Sequence, residues 1–228
     1  SIVHSGLSKM LFRDVDVQAF NTASDLWINL RKLVEQKQAE RFYAWVFWSE
    51  VDHFGHLYGP DDERTAAEFA NFSHAMQTLF LDRISPAARR GTLLILTADH
   101  GQVATSPETR YVLQSHPKMA RLLHINPTGE NRLTYLHIRP GQMEALLDYL
   151  QFAWPGQLQA IQSGEAIDSG LFGPGAPHPS LHDRVGDWLV AWQQDAYLWW
   201  ADKENFLIGR HGGLDAEEML VPFLACRL

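Results

Sequence analysis

Five residues in three short segments are natural ligands for a divalent metal ion. The first segment is Asp52-His53-Phe54-Gly55-His56, with Gly59-Pro60 just beyond. Asp52 and His56 are four apart, so one helical turn puts both on one face, and Gly55 leaves room for the chain to turn between them. The plainer reading of this segment is a polar loop with a capping Asp. The second segment is Thr97-Ala98-Asp99-His100-Gly101, directly after Leu93-Leu94-Ile95-Leu96. An ionised Asp at the end of so apolar a run is costly unless paired or metal-bound. A helix N-cap at Asp99 would leave His100 and Gly101 without a purpose. Adjacent residues of a strand point apart, but where the backbone turns at a strand end both can reach one ion. The third segment, Arg210-His211-Gly212-Gly213, gains meaning from the other two. Two Asp and three His suit Zn²⁺, with Mn²⁺ and Fe as competitors. Two Asp-plus-His clusters predict two ions, which in a hydrolytic pair stand about 3.5–4 Å apart.

The flanking segments explain how these groups could converge. Ala23 to Ala39 has Leu26, Leu30, Leu33 and Val34 at helical spacing, with Thr22 and Ser24 as caps. Phe42 to Trp48 reads as a buried strand, and Ser49 to Asp62 as a loop beginning at its carboxyl end. Thr65 to Leu81 is helical, with Asp61, Asp62 and Glu63 in its first turn, where acidic residues suit the dipole. Thr92 to Thr97 is a second buried strand. Strands alternating with helices predict a parallel sheet, whose carboxyl edge is where ligands bind. Leu133 to Ile138 and Leu158 to Ser163 read as strands around a helix over Gly141 to Phe152. A Gly/Pro-rich loop, Gly170 to Pro179, follows. Trp188 to Trp192 and Ala196 to Trp200 read as two more strands.

Bulk properties narrow the class. A chain of 228 residues that is 46% hydrophobic can bury one sizeable core with a small second module. A formal charge of -8 disfavours binding of a nucleic acid duplex through its phosphates. The single cysteine, Cys226, excludes a disulfide framework and reads as a buried small hydrophobe. No stretch is long and apolar enough for a membrane span, and Ser1-Ile2-Val3-His4 lacks a signal-peptide pattern. His53 lies between candidate ligands and reads as a neighbour rather than a ligand, His74 falls on the helix after Thr65, and His116, His124 and His137 lack partner spacing. His178 and His182 sit in the Gly/Pro-rich region and read as loop residues. The clustered Trp residues read as core.

Asp52-x-x-Gly55-His56-x-x-Gly59-Pro60, Thr97-Ala98-Asp99-His100-Gly101 and His211-Gly212-Gly213, in this order, resemble the metal motifs of the nucleotide pyrophosphatase/phosphodiesterase family of the alkaline phosphatase superfamily. Gly170-Leu171-Phe172-Gly173, His178-Pro179 and Arg184-Val185-Gly186-Asp187 are similar to segments of bacterial members. The resemblance implies an α/β fold, a three-layer α/β/α sandwich with an inserted α+β cap. The metal-binding core would be residues 1–101 and 185–228, and the cap 102–184. It implies two zinc ions, with manganese as the substitute: Asp52, His56 and His211 on one, Asp99 and His100 on the other. It implies hydrolysis of a small phosphodiester or nucleotide pyrophosphate by a Thr or Ser nucleophile.

Only 51 residues precede Asp52, and none offers the strand-end Asp and hydroxyl that the family places upstream. The expectation is a C-terminal portion of a longer enzyme, with the nucleophile outside this chain and little turnover by the chain alone. The rivals are a phosphonoacetate hydrolase, a cofactor-independent phosphoglycerate mutase, and a non-catalytic domain with vestigial metal motifs. Gly59-Pro60 and His211-Gly212-Gly213 favour the phosphodiesterase over the mutase.

Overall fold

The computed structural model describes residues 6–228, so Ser1-Ile2-Val3-His4 lies outside the described residues. In chain order the helices are α1 (Gly6–Leu11), α2 (Ala23–Gln36), α3 (Glu50–Tyr58), α4 (Glu63–Ala75), α5 (Pro86–Arg89), α6 (Pro117–Leu122), α7 (Met143–Ala153), α8 (Ser163–Asp168), α9 (Leu181–Val185) and α10 (Ala216–Met219). The strands are β1 (Leu93–Thr97), β2 (Val103–Ala104), β3 (Thr128–Gly129), β4 (Leu133–Leu136), β5 (Leu158–Gln162), β6 (Trp188–Trp192), β7 (Gly209–Arg210) and β8 (Phe223–Arg227).

The chain divides into two compact units. One comprises the residues through Trp48, Ala67–Ile95 and Leu224–Leu228. Here α2 starts where Thr22 Oγ1 accepts from the Asp25 N–H at 3.1 Å, the cap expected of Thr22. Its Leu26, Trp27 and Val34 are buried. Trp27 packs on Phe72 and Phe80, with ring centroids 5.1 and 5.7 Å away. The helix expected over Thr65 to Leu81 begins at Glu63 and continues beyond Ala75 as a π-helical turn, Met76–Leu81.

Three expectations fail in this unit. Phe42 to Trp48 is irregular chain that joins no ladder among the described residues, and Tyr43 and Trp45 are exposed. Among the described residues β1 pairs with β8 alone, and Leu93 and Ile95 stand exposed rather than buried. Cys226, on β8, is exposed too. The apolar pattern specifies strands, but a two-stranded ribbon with no described layer over it leaves those side chains uncovered.

The other unit comprises Ser49–Ala66 and Leu96–Phe223. Its largest sheet has the order β3-β4-β6-β5 and is antiparallel throughout. Register is fixed by pairs such as Tyr135 with Leu189 and Ala160 with Val190. The expected parallel pairing occurs among the described residues only as an isolated Val112–Trp199 bridge. Ala196 to Trp200 is therefore not a strand; Trp199 instead exchanges hydrogen bonds with Tyr111 and Leu113. α7 buries Leu146 and Leu150 with Trp154, Trp192 and Leu198. Trp154 meets Trp192 edge-on at 5.1 Å. β6 belongs to this sheet, hydrogen-bonded to strands from within 102–184.

Candidate metal centre

All five candidate ligands lie in the second unit. The first two stand on α3, where a loop was expected. The i to i+4 spacing that suits a shared ligand also suits a helix, and α3 runs two turns before Gly59 ends it. Gly59 adopts a φ of 101°, open to glycine, and its N–H returns to Gly55 O. Thr65 Oγ1 donates to Gly59 O at 2.9 Å and fixes the exit of the chain.

Backbone hydrogen bonds join the three motif segments. β7 pairs antiparallel with β2, Val103 opposite Arg210, which puts His211 beside the Asp99-His100 turn. The Ile208 N–H donates to His56 O at 2.8 Å, joining that edge to α3. Gly55 and Gly209 permit the approach: a Cβ on Gly209 would fall 2.2 Å from Gly55 O.

Ligand atoms of Asp52, His56 and His211 lie within 4.8 Å of one another. Asp52 Oδ1 is 3.3 Å from His56 Nε2 and 3.7 Å from His211 Nε2. A tetrahedron with metal–ligand bonds of about 2.0–2.2 Å has edges of about 3.3–3.6 Å. The donor set and its spacing therefore fit a Zn²⁺-like ion, with a fourth position left for an oxygen ligand. The Asp52 side chain is 40% exposed, so that position can be reached from solvent.

The tautomers suit this role. His56 Nδ1 lies 2.8 Å from Gly209 O, and a carbonyl can only accept, so Nδ1 carries the proton and Nε2 keeps its lone pair. His100 Nδ1 makes the same contact to Gly101 O at 2.9 Å. Burial, reinforced by the nearby His100, holds His211 below the usual imidazole range, while Asp52 pulls the other way. The neutral form that binds a metal is favoured.

Asp99 and His100 are adjacent to this triad but less converged. Asp99 Oδ2 is 3.8 Å from His100 Nε2. The His100 ring stacks on His211, centroids 3.6 Å apart and planes 12° from parallel. Among the described residues, the triad alone forms a group of three or more potential ligands.

Sequence reasoning missed Gln102. Its amide donates to Asp52 Oδ1 at 3.1 Å and lies 3.4 Å from Asp52 O. The signal was Gly55, where a Cβ would sit 1.8 Å from Gln102 Oε1. Thr22 is the α2 cap, as expected.

The α/β frame that carries these candidate ligands is alkaline phosphatase-like. The type I phosphodiesterase/nucleotide pyrophosphatase family profile matches residues 11–213, and the chain belongs to that family. Its fold is similar to that of murine ectonucleotide pyrophosphatase/phosphodiesterase 5, with 20% identity and a TM-score of 0.64 over 93% of this chain and 57% of that one. A second structure of the murine protein, an inactive form in complex with AMP, has a TM-score of 0.62. Phosphonoacetate hydrolase from Sinorhizobium meliloti 1021, in complex with phosphonoacetate, is similar at 16% identity and TM-score 0.56, covering 96% of this chain and 54% of that one. The chain thus spans little more than half the length of these proteins. No curated protein matches it significantly.

Proposed function

We propose that this chain carries the metal-binding part of a hydrolase of phosphodiester or nucleotide pyrophosphate bonds. The observation that carries the reading is the convergence of Asp52, His56 and His211 ligand atoms within 4.8 Å. Asp52, His56 and His211 would hold one zinc, and Asp99 with His100 would contribute to a second; manganese is the alternative ion. Ions bound there would stabilise charge on phosphate oxygens and favour an oxygen nucleophile at neutral pH. Asp52 supplies the anionic vertex and Gln102 restrains it. His56 is turned toward the site by Gly209 O, and His211 is kept neutral by burial. The nucleophile is a Thr or Ser hydroxyl by family resemblance. Family membership and the AMP complex of the murine relative support a nucleotide-like substrate. We further propose that residues 102–184 form an inserted cap and residues 1–101 and 185–228 the core, although β6, within the latter range, is hydrogen-bonded to β4 and β5 of the former.

The test loads the chain with zinc and assays bis-p-nitrophenyl phosphate, phosphonoacetate and 3-phosphoglycerate. The proposal expects about one or two bound ions and diester cleavage, even at trace rate, that is abolished by chelation and by His211→Ala. Failure to bind metal would refute it. A second reading, phosphonoacetate hydrolysis, is favoured by the similarity to the Sinorhizobium enzyme, and faster turnover of phosphonoacetate would establish it.

A further inference from the structure

We propose that Glu218 is a positioning residue that clamps both histidine-bearing metal loops together, and that Arg132 is the counter-charge that keeps it in place. The inference rests on the metal reading of Asp52, His56 and His211.

Glu218 lies on α10, only 2% exposed. Its two ends reach different motifs. Its backbone carbonyl accepts the Gly101 N–H at 2.7 Å, one residue after His100. Its side-chain Oε1 accepts the Gly213 N–H at 2.8 Å, two residues after His211. Both glycines are explained by this contact. A Cβ on Gly101 would stand 1.9 Å from Glu217 O, and one on Gly213 2.5 Å from Glu218 Oε2. Neither position has room for a side chain while α10 sits against the loops.

A carboxylate this deep must be neutralised. Arg132, fully buried in the turn before β4, does so: Nη2 reaches Glu218 Oε2 at 2.7 Å and Nε lies 3.2 Å from each oxygen. Nη2 also donates to Asp215 Oδ2 at 2.8 Å, and Nη1 donates to Gln194 O at 3.0 Å and to Ala196 O. The neighbouring Asn131 accepts from Arg210 Nη1 at 3.1 Å. Residues on both sides of His211 are therefore tied to one turn, Arg210 directly and Gly213 through Glu218. The stacking of His211 on His100 depends on Glu218, which holds Gly101, next to His100, and Gly213, two residues beyond His211. Removing a group that orients metal ligands typically weakens metal binding by about 10–100-fold.

Cobalt(II) titration, read by its visible d–d absorption, tests the proposal alongside thermal unfolding of the metal-free proteins. Wild type should bind Co²⁺ with a four-coordinate spectrum that His211→Ala loses. The double variant R132M/E218L replaces the ion pair with apolar groups and keeps its unfolding temperature near that of wild type. It should bind Co²⁺ at least about tenfold more weakly. Glu218→Asp keeps the charge for Arg132 but withdraws the oxygen from Gly213 by one methylene, and should weaken binding similarly. Wild-type affinity and spectrum in either folded variant would overturn the role of Glu218. Equal binding by His211→Ala and wild type, or no binding by wild type, would instead refute the metal reading and remove the basis of the inference.

Discussion

Replacing Arg132 with Met should be among the most damaging single changes outside the proposed metal site. The side chain is 0% exposed and its principal partner, the Glu218 carboxylate, is 1% exposed. Removing the cation strands a buried charge, which costs about 3–5 kcal/mol. Asp215, with a side chain 25% exposed, can turn to water and adds little. A chain of this size shifts its midpoint by about 2–4 °C per kcal/mol, so the expected fall is about 6–20 °C. Thermal unfolding followed by tryptophan fluorescence reads it, since Trp154 and Trp192 lie in the core of the same unit. The double variant R132M/E218L should recover most of the loss, because an apolar pair of similar volume substitutes for a buried ion pair at little cost. A single variant within about 1 kcal/mol of wild type would refute the reasoning. So would a double variant as unstable as the single, since the damage would then come from lost packing rather than stranded charge.

Gln102→Ala removes the amide that restrains Asp52, and isothermal titration should show zinc bound about 10–100-fold more weakly with little change in fold. Trp154→Ala empties a fully buried site against Trp192, and urea denaturation should show a loss of about 3–5 kcal/mol. Burial raises the phenols of Tyr111 and Tyr135 above the usual range. A neutral form favoured by the folded state gives stability that is constant below the unfolded phenol pKa of about 10 and falls as pH rises through the folded value. Unfolding monitored between neutral pH and pH 12 or so should show that decline, and Tyr135→Phe should reduce it.

The candidate metal ligands stand out in the sequence because their signal is local. Asp52 and His56 declare a shared face by spacing, and Asp99 stands out as a charge after four apolar residues. α2 and α7 were readable for the same reason, from a period and, in α2, the Thr22 cap. What was not readable depends on partners distant in sequence. Phe42 to Trp48 announces an extended backbone, yet nothing in the run says which strand pairs with it, and among the described residues none does. Ala196 to Trp200 is as apolar as β6, yet it is buried as irregular chain bonded to Tyr111 and Leu113. Gly55, Gly101 and Gly213 signalled close approaches without saying by what; Gln102 and the α10 turn became visible only in three dimensions.

The central claim is that Asp52, His56 and His211 hold a metal ion. A crystal of the zinc-loaded protein, measured on both sides of the zinc absorption edge, tests it most directly. The account predicts an anomalous peak about 2.0–2.2 Å from an Asp52 carboxylate oxygen, His56 Nε2 and His211 Nε2. A zinc-loaded crystal whose anomalous peaks all lie away from these three side chains would contradict it.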